Sequence, residues 1–191
     1  LNQDAPYARK PDPDMDLVRR VRQGDDAAFG RVVDLHGPRL YLLALSMLGN
    51  RHDAEDVVQD TFAGAFGGFG GFQGRASLKT WLTRILVNNV AKLRRRGRLR
   101  KASQIDESGE PTSETPVKRT TETGRADMRM DMQAMISRLS EEHRSVILLR
   151  EMQGMTYDEI AAVLAVPRGT VESRLYRARQ KLRQLLGDYL T

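Results

Sequence analysis

"TYDEIAAVLAVPRGTVESRLYRARQKLR", residues Thr156 to Arg183, decides the fold. Thr156 and Glu159 have the spacing of a capping box, which starts a short helix over Tyr157 to Leu164 with Ile160, Ala161 and Leu164 facing inward. Ala165-Val166-Pro167 breaks it, and a longer helix follows from Arg168 to Leu186. In that helix Val171, Leu175, Ala178, Leu182 and Leu185 recur at alternating steps of four and three, so they pack inward. At about 100° per residue the opposite side carries Ser173, Tyr176, Arg177 and Gln180, with Glu172 and Arg183 at its edge. A short helix, a tight turn and a second helix exposing hydroxyl, aromatic, guanidinium and amide groups form the helix-turn-helix pattern, whose second helix enters a major groove. Arg177 can then pair with guanine, Gln180 with adenine, and Ser173 or Thr170 can bind phosphate near the helix start. The plain alternative is a solvated basic face on a three-helix bundle.

The charge balance points the same way. The 191 residues carry 31 Lys and Arg against 25 Asp and Glu, a formal charge of +6, which suits an anionic partner. The excess is local: seven of the ten residues from Lys92 to Lys101 are basic and none is acidic. The chain has no cysteine, which excludes disulfides, thiol catalysis and cysteine-ligated metals. No apolar run approaches the roughly 20 residues of a membrane span, and "LNQDAPYARKPDPD" has no signal-peptide core, so a cytoplasmic protein without membrane insertion is expected.

Residues 1–13 hold three prolines and no periodicity, and are expected to form a loose tail. From Asp14 to Arg96 apolar residues recur at helical spacing, interrupted by Gly24, Gly37-Pro38, Gly49-Asn50 and a glycine run, which predicts four or five packed helices. Residues 97–127 are rich in Ser, Thr, Glu, Pro and Gly and too poor in large apolar groups to offset ordering entropy, so a flexible linker is expected there. Helical periodicity returns over residues 128–191. The expected fold is all-α: two small helical domains, 14–96 and 128–191, on a tether.

The first domain has three features of its own. In "DAEDVVQDTFAGAF" Asp53, Asp56 and Asp60 fall within about 60° of one another on a helix. Asp53 as N-cap and Asp56 beside the helix dipole explain two of these without function, and His52 alone makes a poor metal site, so no metal or cofactor is expected. A surface seeking a basic partner fits better. In "RASLKTWLTRILVNNVAKLRRRGRLR" Leu78, Leu82, Ile85, Leu86 and Leu93 pack, while Thr80, Arg84, Asn88 and Arg95, flanked by Lys92, share a face able to grip nucleic acid; Trp81 at the boundary reads as core. Between them lies "FGGFGGFQG", Phe66 to Gly74, whose glycines let backbone approach a ligand closely and whose Phe69 or Phe72 can stack on a base. It lacks the lysine and spacing of a phosphate cradle.

Together, "DAEDVVQDTF", "GRASLKTWLTRILVNNVAKLRRR" and "LSEEHRSVILLREMQGMTYDEIAAVLAVPRGTVESRLYRARQKL" resemble the two conserved regions of extracytoplasmic-function sigma factors, specificity subunits of bacterial RNA polymerase. The resemblance runs from Asp14 to Leu186 and lapses in the linker. It implies a transcription initiation factor with no chemistry of its own and no small-molecule substrate. The implied partners are core RNA polymerase, through the β′ clamp helices and the β subunit, promoter DNA, and an anti-sigma factor. It implies that Asp53, Asp56, Gln59 and Asp60 dock on the polymerase. It also implies that the loop Phe66 to Ser77 captures a base flipped from the minus-ten element, with Phe69, Phe72, Lys79, Arg84, Asn88, Lys92 and Arg95 on that DNA. Arg168, Thr170, Glu172, Ser173, Tyr176, Arg177 and Gln180 then read the minus-thirty-five element. Glu172 replaces a basic residue often found there; it is expected to discriminate by accepting from a cytosine amino group. A free-standing helix-turn-helix regulator leaves the acidic stripe and the loop unexplained, and a carboxylate-metal nuclease built on Asp53, Asp56 and Asp60 is the enzymatic rival.

Elements of this kind lie roughly 70 to 80 Å apart on B-form DNA. A linker of about 30 residues spans about 100 Å extended but only about 30 Å as a relaxed coil. Polymerase is therefore expected to hold the lobes apart, and the isolated protein to bind promoters weakly.

Overall fold

The computed structural model describes residues 13–105 and 133–190, so the expected tail up to residue 12 and the linker from residue 106 lie outside the described residues. In chain order the elements are α1 (Met15–Arg22), α2 (Asp26–Leu48), α3 (Arg51–Gly68), a 3-10 turn (Phe69–Gly71) and α4 (Leu78–Ile105). A helical turn over 133–137 follows, then α5 (Glu141–Glu151), α6 (Tyr157–Leu164) and α7 (Arg168–Leu190). The described residues are helical with no strand, as expected.

Asp25 starts α2 by accepting from the Ala28 N–H at 3.0 Å. The Gly37-Pro38 break is absent: Pro38 lies inside α2. Val32 and His36 before it and Leu40, Leu43 and Met47 after it are all buried. Burying each large apolar side chain is worth about 1.5–3 kcal/mol, which together exceeds the roughly 3 kcal/mol cost of an interior proline. His36 Nε2 lies 3.0 Å from Asp14 Oδ2, joining the start of α1 to the middle of α2. Gly49 does end the helix, at φ 72° with its N–H on Leu45 O at 2.8 Å, a left-handed position that favours glycine.

Asn50, and not Asp53, caps α3: its side chain accepts from the His52 N–H at 2.9 Å. Ala54, Val57, Thr61, Phe62 and Ala65 form the buried side of α3. α4 continues past the expected boundary at residue 96, through Gly97 to Ile105. One glycine costs a helix only about 1 kcal/mol relative to alanine, and its arginine neighbours are good helix formers.

In the second lobe Ser140 caps α5, accepting from the His143 N–H at 3.3 Å. Val146, Ile147, Leu148 and Leu149 are buried. The Thr156–Glu159 capping box forms as its spacing predicts, with Glu159 N–H on Thr156 Oγ1 at 3.2 Å and Thr156 N–H on Glu159 Oε2 at 2.9 Å. Ala165 closes α6 in the left-handed region at φ 53°, and the Val166 N–H reaches Ala161 O at 3.1 Å.

The two lobes pack against each other. α4 packs on α6 and α2 packs on α5, and the buried residues of both lobes form one continuous apolar cluster. Long-range packing of this kind has no local sequence signal.

Candidate nucleic-acid and partner interfaces

On α7 the predicted division of faces is present. Val171, Leu175, Ala178 and Leu185 are buried, while Glu172, Ser173, Tyr176, Arg177 and Gln180 are exposed, Tyr176 at 61 %. Gln180 Nε2 donates to Tyr176 Oη at 2.9 Å, so the ring and the amide are presented as one unit. Ser173 Oγ donates to Thr170 O at 3.0 Å. Glu172 Oε1 accepts from Arg168 Nε at 3.0 Å, and Arg168 also reaches Asp158 Oδ2 at 3.2 Å. Glu172 thus helps fix Arg168 at the start of the helix. Arg174 and Arg179 point the other way, pairing with Glu142 at 2.8 Å and Glu151 at 2.9 Å to clamp α7 on α5.

On α3 the structure brings Asp56, Gln59 and Asp60 to an exposed surface, with Asp53 half-buried beside them. Asn50 Nδ2 donates to Asp53 at 3.3 Å, and His52 Nδ1 lies 3.0 Å from Asp56 Oδ2. Among the described residues no three His, Asp or Glu side chains converge as metal ligands.

The glycine loop differs from expectation. Phe69 and Phe72 are only 2 % and 4 % exposed. Their rings lie 5.3 and 5.0 Å from Trp81, and Phe69 also meets Phe29 edge-on at 5.9 Å. Neither offers a free face to a base in this arrangement, because an aromatic ring in a glycine-rich segment gains more by burial than by exposure. Phe66 is the exposed ring, at 54 %, leaning on Phe29. Trp81 is half-buried core, as read from the sequence, and lies so close to Gly68 that a Cβ there would stand 3.2 Å from its ring. Gln73, Gly74 and Arg75 form an exposed stretch of the loop, beyond the exposed Gly70 and Gly71.

The predicted face of α4 splits in two. Arg84, Asn88, Lys92 and Arg95 are exposed, and Asn88, Lys92 and Arg95 border one shallow basic depression with Arg98. Lys79 and Thr80 instead turn to the second lobe. Lys79 Nζ donates to Gln153 O, and Thr80 Oγ1 donates to Glu159 Oε1 at 3.0 Å. Burial, and then the neighbouring Arg39 charge, push Lys79 below the ordinary lysine value, with Glu159 opposing.

Arg39, Gln153 and Arg144 complete this junction, and the sequence analysis did not single them out. Arg39 Nη1 donates to Oε1 of Gln153, which is 2 % exposed. Arg144 reaches across to Met47 O at 3.0 Å while holding Leu139 O at 3.1 Å and Ile136 O at 3.2 Å. Arg94 and Arg98 face Glu141 at 3.6 and 3.5 Å. Nothing local in the sequence marks Gln153 for this role, because its partner lies 114 residues away.

Comparison with known proteins gives these surfaces a context. Residues 32–100 match the family model described as Sigma-70 region 2, and residues 129–182 match Sigma-70, region 4. The chain is 37 % identical over 172 residues to the ECF RNA polymerase sigma factor SigE of Mycolicibacterium smegmatis, covering 87 % of this chain and 65 % of that protein. It is 36 % identical over 180 residues to the RNA polymerase sigma factor NccH of Alcaligenes xylosoxydans xylosoxydans, covering 92 % of this chain and 96 % of that one. Among solved structures it is similar to CnrH in complex with the cytosolic domain of CnrY, with a TM-score of 0.69, 30 % identity and coverage of 92 % and 97 %. The helix-turn-helix, the acidic helix and the two matched regions therefore belong together: this chain is a member of the extracytoplasmic-function sigma factors of the sigma-70 family, non-enzymatic transcription initiation factors.

Proposed function

We propose that this protein binds core RNA polymerase through Asp53, Asp56, Gln59 and Asp60 on α3 and directs it to promoters of two elements. The exposed face of α7, Glu172, Ser173, Tyr176, Arg177 and Gln180 with Arg168 and the half-buried Thr170 at its start, reads the minus-thirty-five element. The loop after α3 and the exposed α4 residues Arg84, Asn88, Lys92 and Arg95 bind and open the minus-ten element. The observation that carries this reading is the sorting of α7 into a sealed apolar face and an open face of base-reading groups. Exposed Gln73, Gly74 and Arg75, and not the buried phenylalanines, present the loop to a flipped base. Lys79 reaches DNA only once the lobes part.

Its action is in the cytoplasm, a reading supported by its likeness to RNA polymerase sigma factors. Its partners are core polymerase, including the β′ clamp helices and the β subunit, promoter DNA and an anti-sigma factor. CnrH, whose fold it shares, is held by the cytosolic domain of CnrY. Run-off transcription by core polymerase on a randomised promoter library tests the reading. Transcripts sharing a two-element motif, present only with this protein, are expected; DNA binding without polymerase-dependent selection contradicts it.

A further inference from the structure

Helix α1 precedes the residues 32–100 matched as region 2, yet it touches the base-reading loop at two places. Arg22, its last residue, donates from Nε to Phe69 O at 3.0 Å and from Nη2 to Phe72 O. Those two carbonyls bracket Gly70-Gly71, and the Phe72 N–H closes the same turn on Phe69 O at 3.2 Å. Met15, at the other end of α1, lies 3.6 Å from where a Cβ on Gly74 would stand, and Gly74 has φ +66°. The chain turns extended at Phe72, and Gln73, Gly74 and Arg75 emerge exposed.

We infer that Arg22 is a positioning residue for promoter opening: its guanidinium fixes the direction in which the loop leaves the 3-10 turn, and so the pose in which residues 73–75 meet the flipped base. The inference rests on the loop's role proposed above. A segment with five glycines between Phe66 and Gly74 loses more conformational freedom on ordering than any other kind, so an untethered loop samples many exits. The buried Phe69 and Phe72 rings anchor its side chains, but they leave the peptide planes between them free to rotate about the glycines. Arg22 removes that freedom. Its rigid fork bridges two carbonyls through charge-assisted hydrogen bonds, whereas a lysine ammonium at the same place is a compact point charge on a flexible stem and lacks the fork that fixes both carbonyls at once. Arg22 touches no DNA in this scheme; it acts through the loop.

The test uses holoenzyme reconstituted with the full chain on a promoter taken from the run-off selection, with 2-aminopurine at the flipped position of the non-template strand. Its fluorescence rises when the base leaves the stack. Arg22→Met is expected to slow that rise about tenfold and to flatten the preference among bases at that position, with polymerase affinity unchanged. Arg22→Lys should recover part of both, and Arg19→Met, exposed on the same helix, should match the unsubstituted protein. Wild-type opening and preference in Arg22→Met overturn the inference, as does an equal loss of polymerase affinity, which marks general destabilisation. The paired variant Gln73→Ala with Arg75→Ala separates the two levels. If it shifts base preference while Arg22→Met does not, Arg22 alone is misassigned; if neither shifts it, the loop reading falls and takes the inference with it.

Discussion

At the scale of single residues, the two buried phenylalanines of the glycine run, Phe69 and Phe72, divide stability from recognition. Each is packed on Trp81, so Phe72→Ala should lower unfolding stability by about 3–5 kcal/mol in urea denaturation, the cost of a core cavity. A residue that only stacks on DNA would leave the denaturation midpoint in place. Arg177 is the opposite case. It is exposed and bears no packing load, so Arg177→Ala should leave stability within about 0.5 kcal/mol but cost about 1–3 kcal/mol of discrimination at one minus-thirty-five position in competition binding. Glu172→Ala should relax a neighbouring position, by freeing Arg168 as well as by removing the acceptor. The open and closed faces of α7 were legible from spacing alone because a helix of this length repeats its period several times. Phe69 and Phe72 were not: a stretch that is mostly glycine has no period, and only the position of Trp81 shows which way the rings turn.

At the scale of elements, local and tertiary forces compete at each helix end. The capping box of α6 and Gly49 after α2 were readable because their partners lie within four residues. Pro38 and Gly97 misled because burial and neighbouring helix formers outweigh a single unfavourable residue. The cap of α2 carries a pH prediction. The backbone N–H of Ala28, and after it the Arg20 side chain, hold the Asp25 carboxyl below its ordinary value of 3.8. A depressed carboxylate contributes stability above its unfolded value, and that contribution is lost as pH falls through the folded one. Asp25→Asn keeps a cap but removes the titration. Its melting temperature should therefore fall less steeply than that of the unsubstituted protein below about pH 4, as followed by circular dichroism.

At the scale of the whole molecule, the acidic stripe of α3 and the two faces of α7 were legible in the sequence, and their spatial relation was not. The contacts that bring the lobes together are set by Arg39, Lys79, Thr80 and Arg144, each meeting a residue far away in the chain. The junction is not an ideal one. Burial lowers Arg39 from its ordinary value, partly offset by Asp14, and its Nη2 is buried without a hydrogen-bond partner among the described residues. Such a group costs about 1–3 kcal/mol, which weakens the closed junction. Gln153→Ala removes the acceptor that Arg39 does have. It should speed assembly with core polymerase in stopped-flow fluorescence; slower assembly would mean that the closed form is the one polymerase selects.

On this reading one chain closes on itself when alone and spreads across two promoter elements when bound. The absence of cysteine allows spin labels to be placed at Asp34→Cys on α2 and Gln184→Cys on α7, both exposed, without other changes. Pulsed electron–electron distance measurement should give one short population for the free protein. In promoter-bound holoenzyme that population should be replaced by one longer by tens of ångströms, toward the roughly 70 to 80 Å between the elements. The same short distance in both states would mean that the lobes stay closed on the promoter.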